Sequence, residues 1–296
     1  MDASGKNTAS RCLVESGRSG ERMLRVKVRG LPWFCRKFVA MTTPQAPRLA
    51  WIPGGSRGIG FSVASRLLSE GYNVALSGRD PLRLSEAVRA LSEATAGPQE
   101  ASAGHGATQR GAVRAIPCDV SDEASVTAAY AAILEAFGAA PDVLVNSAGI
   151  SPWSSFTETT IEEFDRVIAT NTRGLFLATR AVLPAMYERQ HGTIIQILSI
   201  AATKAFRNGA AYVASKFAAH GFTNALREEV REHGVRVVSV LPGATETELW
   251  DPEMRRTHHG RMLQPEDVAE AIHDALSLPE RALIEEIVLR PIGGDL

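Results

Sequence analysis

The chain has 296 residues, 45% of them hydrophobic and 22% charged, with a net charge of −1. That composition fits a soluble α/β domain with a substantial core, and the near-neutral charge gives no basis for a nucleic-acid partner. Apolar runs such as Val235 to Leu241 are too short to cross a bilayer, so no membrane segment is expected. Cys12, Cys35 and Cys118 show neither metal-ligand nor disulfide spacing, which fits a reducing, cytoplasmic compartment.

The first forty residues carry nine basic side chains against three acidic ones and no periodic apolar pattern. Residues 1–46 therefore read as a basic, disordered extension ahead of a natural start at Met41, with a targeting presequence or an arm for an anionic partner as the alternative. Trp33, Phe34 and Phe38 allow a short adherent helix. From Pro47 onward the pattern is regular.

Leu49 to Ile52 reads as a short buried strand. Gly54, Gly58 and Gly60 follow it in a G-x-x-x-G-x-G spacing, and apolar residues then recur at helical intervals from Phe61 to Leu68. A strand, a glycine loop and a helix in that order form a nucleotide site. The missing side chains permit a tight turn, close backbone approach to a pyrophosphate, and a helix N-terminus aimed at the phosphates. Further strands are expected at Asn73 to Ser77, Val113 to Ile116, Val143 to Val145, Thr193 to Leu198, Val235 to Leu241 and Ile287 to Leu289, with helices between them. The fold class is therefore α/β: one doubly wound domain over residues 47–296, with a parallel sheet of about seven strands and helices on both faces. Thr95 to Arg110, rich in Gly, Ala and polar residues, reads as a mobile, dispensable surface insertion.

Tyr212 and Lys216 stand four residues apart on an expected helix, which puts a phenol and an ammonium on one face. A cation beside a phenol favours the phenolate and lowers its pKa from about 10, so the pair predicts a tuned proton donor and acceptor. Ser199, at the end of the strand that begins at Thr193, brings a hydroxyl to the edge of the sheet. Three polar groups can then converge on one carbonyl. Alone, the Tyr-x-x-x-Lys spacing is equally that of a solvated amphipathic pair.

In order, the chain carries the glycine loop, Cys118-Asp119-Val120, Asn146-Ser147-Ala148-Gly149, Asn171, Ser199, Tyr212 with Lys216, and Pro242-Gly243 with Thr247. Together these motifs resemble the short-chain dehydrogenase/reductase family across essentially all of the chain from Pro47. The resemblance implies a Rossmann fold and a nicotinamide cofactor bound by Gly54, Ser56, Arg57, Gly58, Ile59, Gly60 and Arg79. It also implies that Asp119 and Val120 lie at the adenine, that Asn146, Ala148 and Gly149 line the adenosine side, and that Pro242, Gly243 and Thr247 approach the nicotinamide and pyrophosphate. Asn171, Ser199, Tyr212 and Lys216 become the catalytic set. Ser199 would bond the substrate oxygen and Tyr212 would transfer its proton. Lys216 would lower the tyrosine pKa and hold the nicotinamide ribose, while Asn171 would support a water chain from Lys216 to solvent.

Two residues depart from the family's pattern. Pro53 stands where a Thr is common and removes a donor that ties the glycine loop to its neighbouring strand, so cofactor affinity is in question. Ser147 stands where a second Asn is common and keeps a donor and acceptor on a shorter arm.

NADP(H) is favoured over NAD(H), because the second strand ends Ser77-Gly78-Arg79 with no carboxylate at its tip, and Arg57 adds a second phosphate-binding guanidinium. Asp80 is positioned to neutralise Arg79 in part. The expected reaction is hydride transfer between nicotinamide and a ketone or secondary alcohol. Its pocket is expected between Ile150 and Ser155, Ile200 and Arg207, and Ala244 and Met262, with Trp153, Phe206, Trp250 and Met262 making it apolar. The resemblance implies a homodimer or homotetramer, and the segment Arg290 to Leu296 is placed to close over a neighbouring subunit's site. The seven histidines show no ligand cluster near the site, so no metal is expected there. The alternatives are an NAD-dependent alcohol dehydrogenase of the same family, or a protein that binds NADP as a sensor or scaffold without turnover.

Overall fold

A computed structural model of the chain describes residues 13–16, 22–25, 47–96 and 111–294, with only the backbone described for the first two stretches and for Ala96. The chain divides into two units, Met1–Ala46 and Pro47–Leu296. In the first, β1 (Leu13–Ser16) pairs antiparallel with β2 (Arg22–Arg25), placing Leu13 opposite Arg25 and Ser16 opposite Arg22. The sequence pattern gave no sign of these two strands. The remainder of the expected disordered extension lies outside the described residues.

The second unit holds a seven-stranded parallel sheet in the order β5-β4-β3-β6-β7-β8-β9. Its strands are β3 (Leu49–Pro53), β4 (Asn73–Ser77), β5 (Val113–Ala115), β6 (Val143–Asn146), β7 (Gly192–Ile197), β8 (Val235–Pro242) and β9 (Glu286–Leu289). The helices are α1 (Gly58–Ser69), α2 (Pro81–Ala96), α3 (Glu123–Phe137), α4 (Ile161–Ile168), α5 (Gly174–Arg189), α6 (Ala210–Val230), α7 (Pro252–His258) and α8 (Pro265–Ser277). Each strand expected from the sequence is present to within a residue at either end. The insertion starts later than Thr95, because α2 continues to Ala96; residues 97–110 lie outside the described residues.

Strand side chains alternate between two cores, as a period of two requires. Ala50, Ile52, Val74, Leu76, Val145 and Val240 face Val63 and Leu67 of α1, Leu84 and Leu91 of α2, and Ile272 of α8. Leu49, Trp51, Ala75, Leu144, Ile194 and Val237 face Ile133 of α3, Val182 and Met186 of α5, and Leu226 and Val230 of α6. Trp51 is fully buried and donates its indole N–H to Ser77 Oγ at 2.9 Å, so the one polar atom of the largest core side chain is satisfied.

Because the unit from Pro47 onward contains the whole sheet and both of its cores, deletion of residues 1–40 is expected to leave the thermal midpoint unchanged. A large fall in the midpoint, measured by differential scanning calorimetry, would show that the sheet depends on the extension.

Candidate active site

The helices after β3 and β4 cover one face of the sheet, and those after β5, β6 and β7 cover the other. Adjacent strands β3 and β6 therefore send their connections in opposite directions, and a crevice opens at their carboxyl ends. The glycine loop lies in that crevice. Gly54 has φ +80°, and a Cβ there would stand 2.4 Å from the Ala148 backbone nitrogen, so only glycine fits. A Cβ on Gly60 would stand 2.6 Å from the Gly54 carbonyl oxygen, which is why α1 can start so close to the loop.

Pro53 does not leave the loop untied. The Gly54 N–H donates to Ser77 O at 2.9 Å and the Ser147 N–H donates to Pro53 O at 3.0 Å, so main-chain bonds hold the loop to both flanking segments. Side chains cap α3 through Asp122, α4 through Thr160 and α7 through Asp251, whereas α1, like α5 and α6, has no side-chain cap and, unlike them, starts at the glycine loop. The first-turn amides of α1 are left for an anion, the arrangement that suits a pyrophosphate. The residues present thus fit a nicotinamide dinucleotide.

A cleft of about 1160 Å³ runs from this loop to α6. Gly54, Ser56, Arg57, Gly58, Ile59 and Arg79 line one end, and Ser199, Tyr212 and Lys216 line the other. Val120, Ala148, Gly149, Pro242, Gly243 and Thr247 lie between them, with the Thr247 methyl packed against Gly58. Gly60, Asp119, Asn146 and Asn171 do not line this cleft. The Asp119 carboxylate accepts from the Ser121 N–H at 2.9 Å and the Ser121 hydroxyl at 2.7 Å, shaping its own turn. The buried Asn146 amide donates to Gln196 Oε1 at 2.9 Å and Thr179 Oγ1 at 3.3 Å, tying β6 to β7 and α5.

Asn171 sits in a π-helical turn, Ala169–Arg173, that interrupts the passage from α4 to α5, a feature frequent at functional sites. Its side chain donates to Ile150 O at 2.8 Å and to Ser215 Oγ at 3.0 Å, and accepts from Ile150 N–H at 2.9 Å. These bonds fix the segment after β6 against α6. Asn171 Oδ1 and Lys216 Nζ both lie beside Gly149, 3.5 Å and 3.9 Å from the point a Cβ there would occupy.

Tyr212 and Lys216 are both buried on α6. Lys216 Nζ donates to Ile197 O at 3.1 Å and lies 5.7 Å from the centre of the Tyr212 ring. Burial pulls the Lys216 ammonium down to about 8. The sequence expectation that Lys216 lowers the Tyr212 pKa is not met in this structure. Burial raises the phenol above its ordinary value, and a hydrogen bond with the Ser199 side chain only partly opposes that rise. The ammonium donates to a main-chain carbonyl, and the influences acting on the phenol are burial and the Ser199 side chain. Ser199 Oγ also accepts from Ala201 N–H at 3.1 Å, which fixes the hydroxyl at the end of β7.

At the other end of the cleft, Asp80 does not neutralise Arg79. Its carboxylate accepts from the Leu82 and Arg83 N–H groups at the start of α2 and pairs with Arg83 at 3.4 Å. Arg83 and Glu248 also line the cleft, and the sequence reading passed over both. Arg83 was legible as a third guanidinium four residues beyond Arg79; nothing in the local sequence links Glu248 to it. On the opposite side, Trp153, Phe206 and Trp250 line the cleft as expected. Trp153 packs edge-on against Phe206 at 6.2 Å and lies 6.0 Å from the Tyr212 ring. Met262 is instead buried, and Leu249 and Met254 face the cleft. Among the described residues, the grouping Glu270, His273 and Asp274 that could supply metal ligands lies on α8, outside the cleft. No helix among the described residues is long and apolar enough to cross a membrane.

The Lys216 shift has a sign that can be measured. Between about 8 and its ordinary 10.5, the unfolded chain holds a proton that the folded chain lacks, so this group makes stability rise with pH across that window. Cys118, raised to about 11, and Tyr212, also raised, act in the opposite sense at the alkaline end. The stability of Lys216→Met relative to wild type is therefore expected to fall steadily from pH 8 to 10.5 in urea titrations. A difference independent of pH would show that the ammonium is not desolvated.

Comparison with known proteins agrees with this architecture. The family model of short chain dehydrogenase matches residues 48–257. The chain is 40% identical over 185 residues to a sepiapterin reductase of Chlorobaculum tepidum, covering 61% of this chain and 73% of that protein. It is 34% identical over 247 residues to an uncharacterized oxidoreductase of Staphylococcus saprophyticus, covering 83% and 97%. The crystal structure of a metagenomic short-chain oxidoreductase in complex with NADP superposes with a TM-score of 0.68 at 31% identity, over 82% of this chain and 96% of that one. Sheet order, glycine loop and family match together place the chain in the short-chain dehydrogenase/reductase family, as an NAD(P)-dependent oxidoreductase.

Proposed function

We propose that the protein is an NADP(H)-dependent oxidoreductase that interconverts a ketone and a secondary alcohol, with Tyr212 as the general acid and base. The observation that carries this reading is the convergence of Ser199, Tyr212 and Lys216 at one end of a cleft whose other end holds the glycine loop. When bound, the nicotinamide supplies or accepts the hydride. Tyr212 gives its proton to the carbonyl oxygen in reduction, and its raised pKa keeps it protonated at neutral pH. Ser199 bonds the same oxygen and holds it within reach of the phenol. In this reading Lys216, whose ammonium lies beside Gly149 and Tyr212, holds the nicotinamide ribose. Asn171 keeps the segment after β6 in register with α6 and, beside Lys216, supports a water path to solvent.

Arg57 and Arg79 in the cleft support NADP(H) over NAD(H), and Asp80, which lines the same cleft, pairs with Arg83 and the α2 amides rather than with Arg79. NADP in the related metagenomic structure is consistent with that choice. Trp153, Phe206, Leu249, Trp250 and Met254 favour a substrate with substantial apolar surface. A homo-oligomer and a cytoplasmic location belong to the same reading.

The test is NADPH oxidation over a panel of ketones and quinones. Tyr212→Phe is expected to abolish turnover while NADPH binding, followed by cofactor fluorescence, stays intact. Near-wild-type activity in that variant would refute the role of Tyr212, and cofactor binding without turnover on any carbonyl would favour a sensor or scaffold. Charge-assisted bonds to phosphate contribute about 1.5 to 3 kcal/mol, so the double change Arg57→Ala with Arg79→Ala is expected to raise the KM for NADPH at least tenfold, to roughly a hundredfold, and leave that for NADH nearly flat. Equal weakening of both cofactors, or a preference of the unmodified enzyme for NADH, would overturn the phosphate-clamp reading and make Asp80 the residue to examine as a ribose ligand.

A further inference from the structure

The cofactor end of the cleft already contains an anion of the protein's own. Glu248 stands between β8 and α7 and reaches back across the cleft. Its Oε2 accepts from Arg57 Nη1 at 2.8 Å and from Arg83 Nη1 at 3.4 Å. These contacts join residues 191 and 165 positions apart, so they exist only because the segment after β8 folds back over the glycine loop and the start of α2. Glu248, Arg57, Arg79 and Arg83 all line the cleft. Arg57 precedes α1, Arg79 follows β4, and Arg83 lies in the first turn of α2. Three guanidinia thus gather where β4, the second strand of the parallel sheet in chain order, ends, the position that faces the adenosine ribose of a dinucleotide.

We infer that Glu248 is an internal competitor for the 2′-phosphate of NADP(H), and that Arg83 is a further ligand of that phosphate. This inference rests on the NADP(H) reading above. A phosphate monoester carries close to two negative charges at neutral pH and three acceptor oxygens, against one charge and two oxygens on a carboxylate. It therefore takes Arg57 and Arg83 from Glu248, but the affinity observed is lowered by whatever those two pairs contributed. NADH presents hydroxyls at this position and leaves Glu248 where it is. Glu248 accordingly acts against NADPH alone and tunes how strongly the enzyme prefers it. The pairs are about half exposed, with Glu248 at 49%, Arg57 at 45% and Arg83 at 57% of their side-chain surface, so the competition is modest.

The experiment is isothermal titration calorimetry on the full chain with NADPH, NADH, 2′,5′-ADP and 5′-AMP. Glu248→Gln keeps the shape of the side chain and removes its charge. It is expected to bind NADPH and 2′,5′-ADP about threefold to tenfold more tightly, with NADH and 5′-AMP unchanged. Arg83→Ala is expected to weaken NADPH and 2′,5′-ADP and to spare NADH and 5′-AMP. No gain for NADPH in Glu248→Gln overturns the inference, as does equal weakening of NADPH and NADH, which would make Glu248 a strap that closes over either cofactor. Arg79→Ala separates the two levels of the argument. If it loses NADPH affinity while Glu248→Gln is silent, only the competition is wrong. If wild type binds 5′-AMP as tightly as 2′,5′-ADP and Arg79→Ala changes nothing, the NADP(H) reading falls and the inference falls with it.

Discussion

Parallel pairing of β3 with β6, combined with crossovers that leave them on opposite faces of the sheet, sends the chain away from their carboxyl ends in opposite directions and leaves a crevice above them. The sheet is buried on both sides, so polar groups cannot be carried on its faces without costly desolvation. They collect at the strand ends. Ser77 and Arg79 end or follow β4, Gly54 follows β3, Ser199 follows β7, and Gly243 follows β8. The chemistry of the molecule is therefore confined to one edge by the same burial that makes the sheet stable.

Within that edge, desolvation sets the protonation states. Tyr212 and Lys216 are both enclosed, and burial drives each toward its neutral form: the phenol upward, the ammonium downward to about 8. A helical i,i+4 spacing brings two side chains to one face but does not decide which polar atom each one meets. Here Lys216 meets the Ile197 carbonyl, and Tyr212 meets Ser199. At neutral pH the phenol therefore holds its proton, with the Ser199 side chain acting against the effect of burial.

The strands were legible in the sequence because each is a short apolar run bounded by turn residues, and parallel strands buried on both faces have no other pattern to show. The glycine loop was legible because only glycine tolerates φ +80° with a neighbouring backbone 2.4 Å from the absent Cβ. Asn171 was found through its place in the motif order, but its π-helical turn was not, since a single extra residue in a helical ladder leaves the apolar periodicity almost intact. The internal partners of Asp119 and Asn146, Ser121 for the first and Gln196 with Thr179 for the second, were not legible in the sequence. Which partner a short polar side chain chooses depends on atoms brought near by the fold, and that information is not local. The same holds for Glu248, whose partners lie more than 160 residues away.

Charge at the adenosine end follows a similar logic. An uncapped helix N-terminus and three guanidinia would leave a strongly positive site if nothing answered them. Asp80 answers Arg83 and the α2 amides, and Glu248 answers Arg57 and Arg83. Arg57 in turn is the largest influence holding the Glu248 carboxyl below its ordinary value, so this acid stays ionised whenever the pair is formed. Such compensation keeps the mouth of the cleft from repelling itself in the free enzyme, and it is exchangeable because every member remains partly in water. Arg79 stands outside these pairs, so under the proposed NADP(H) reading it would meet the 2′-phosphate without giving up a partner.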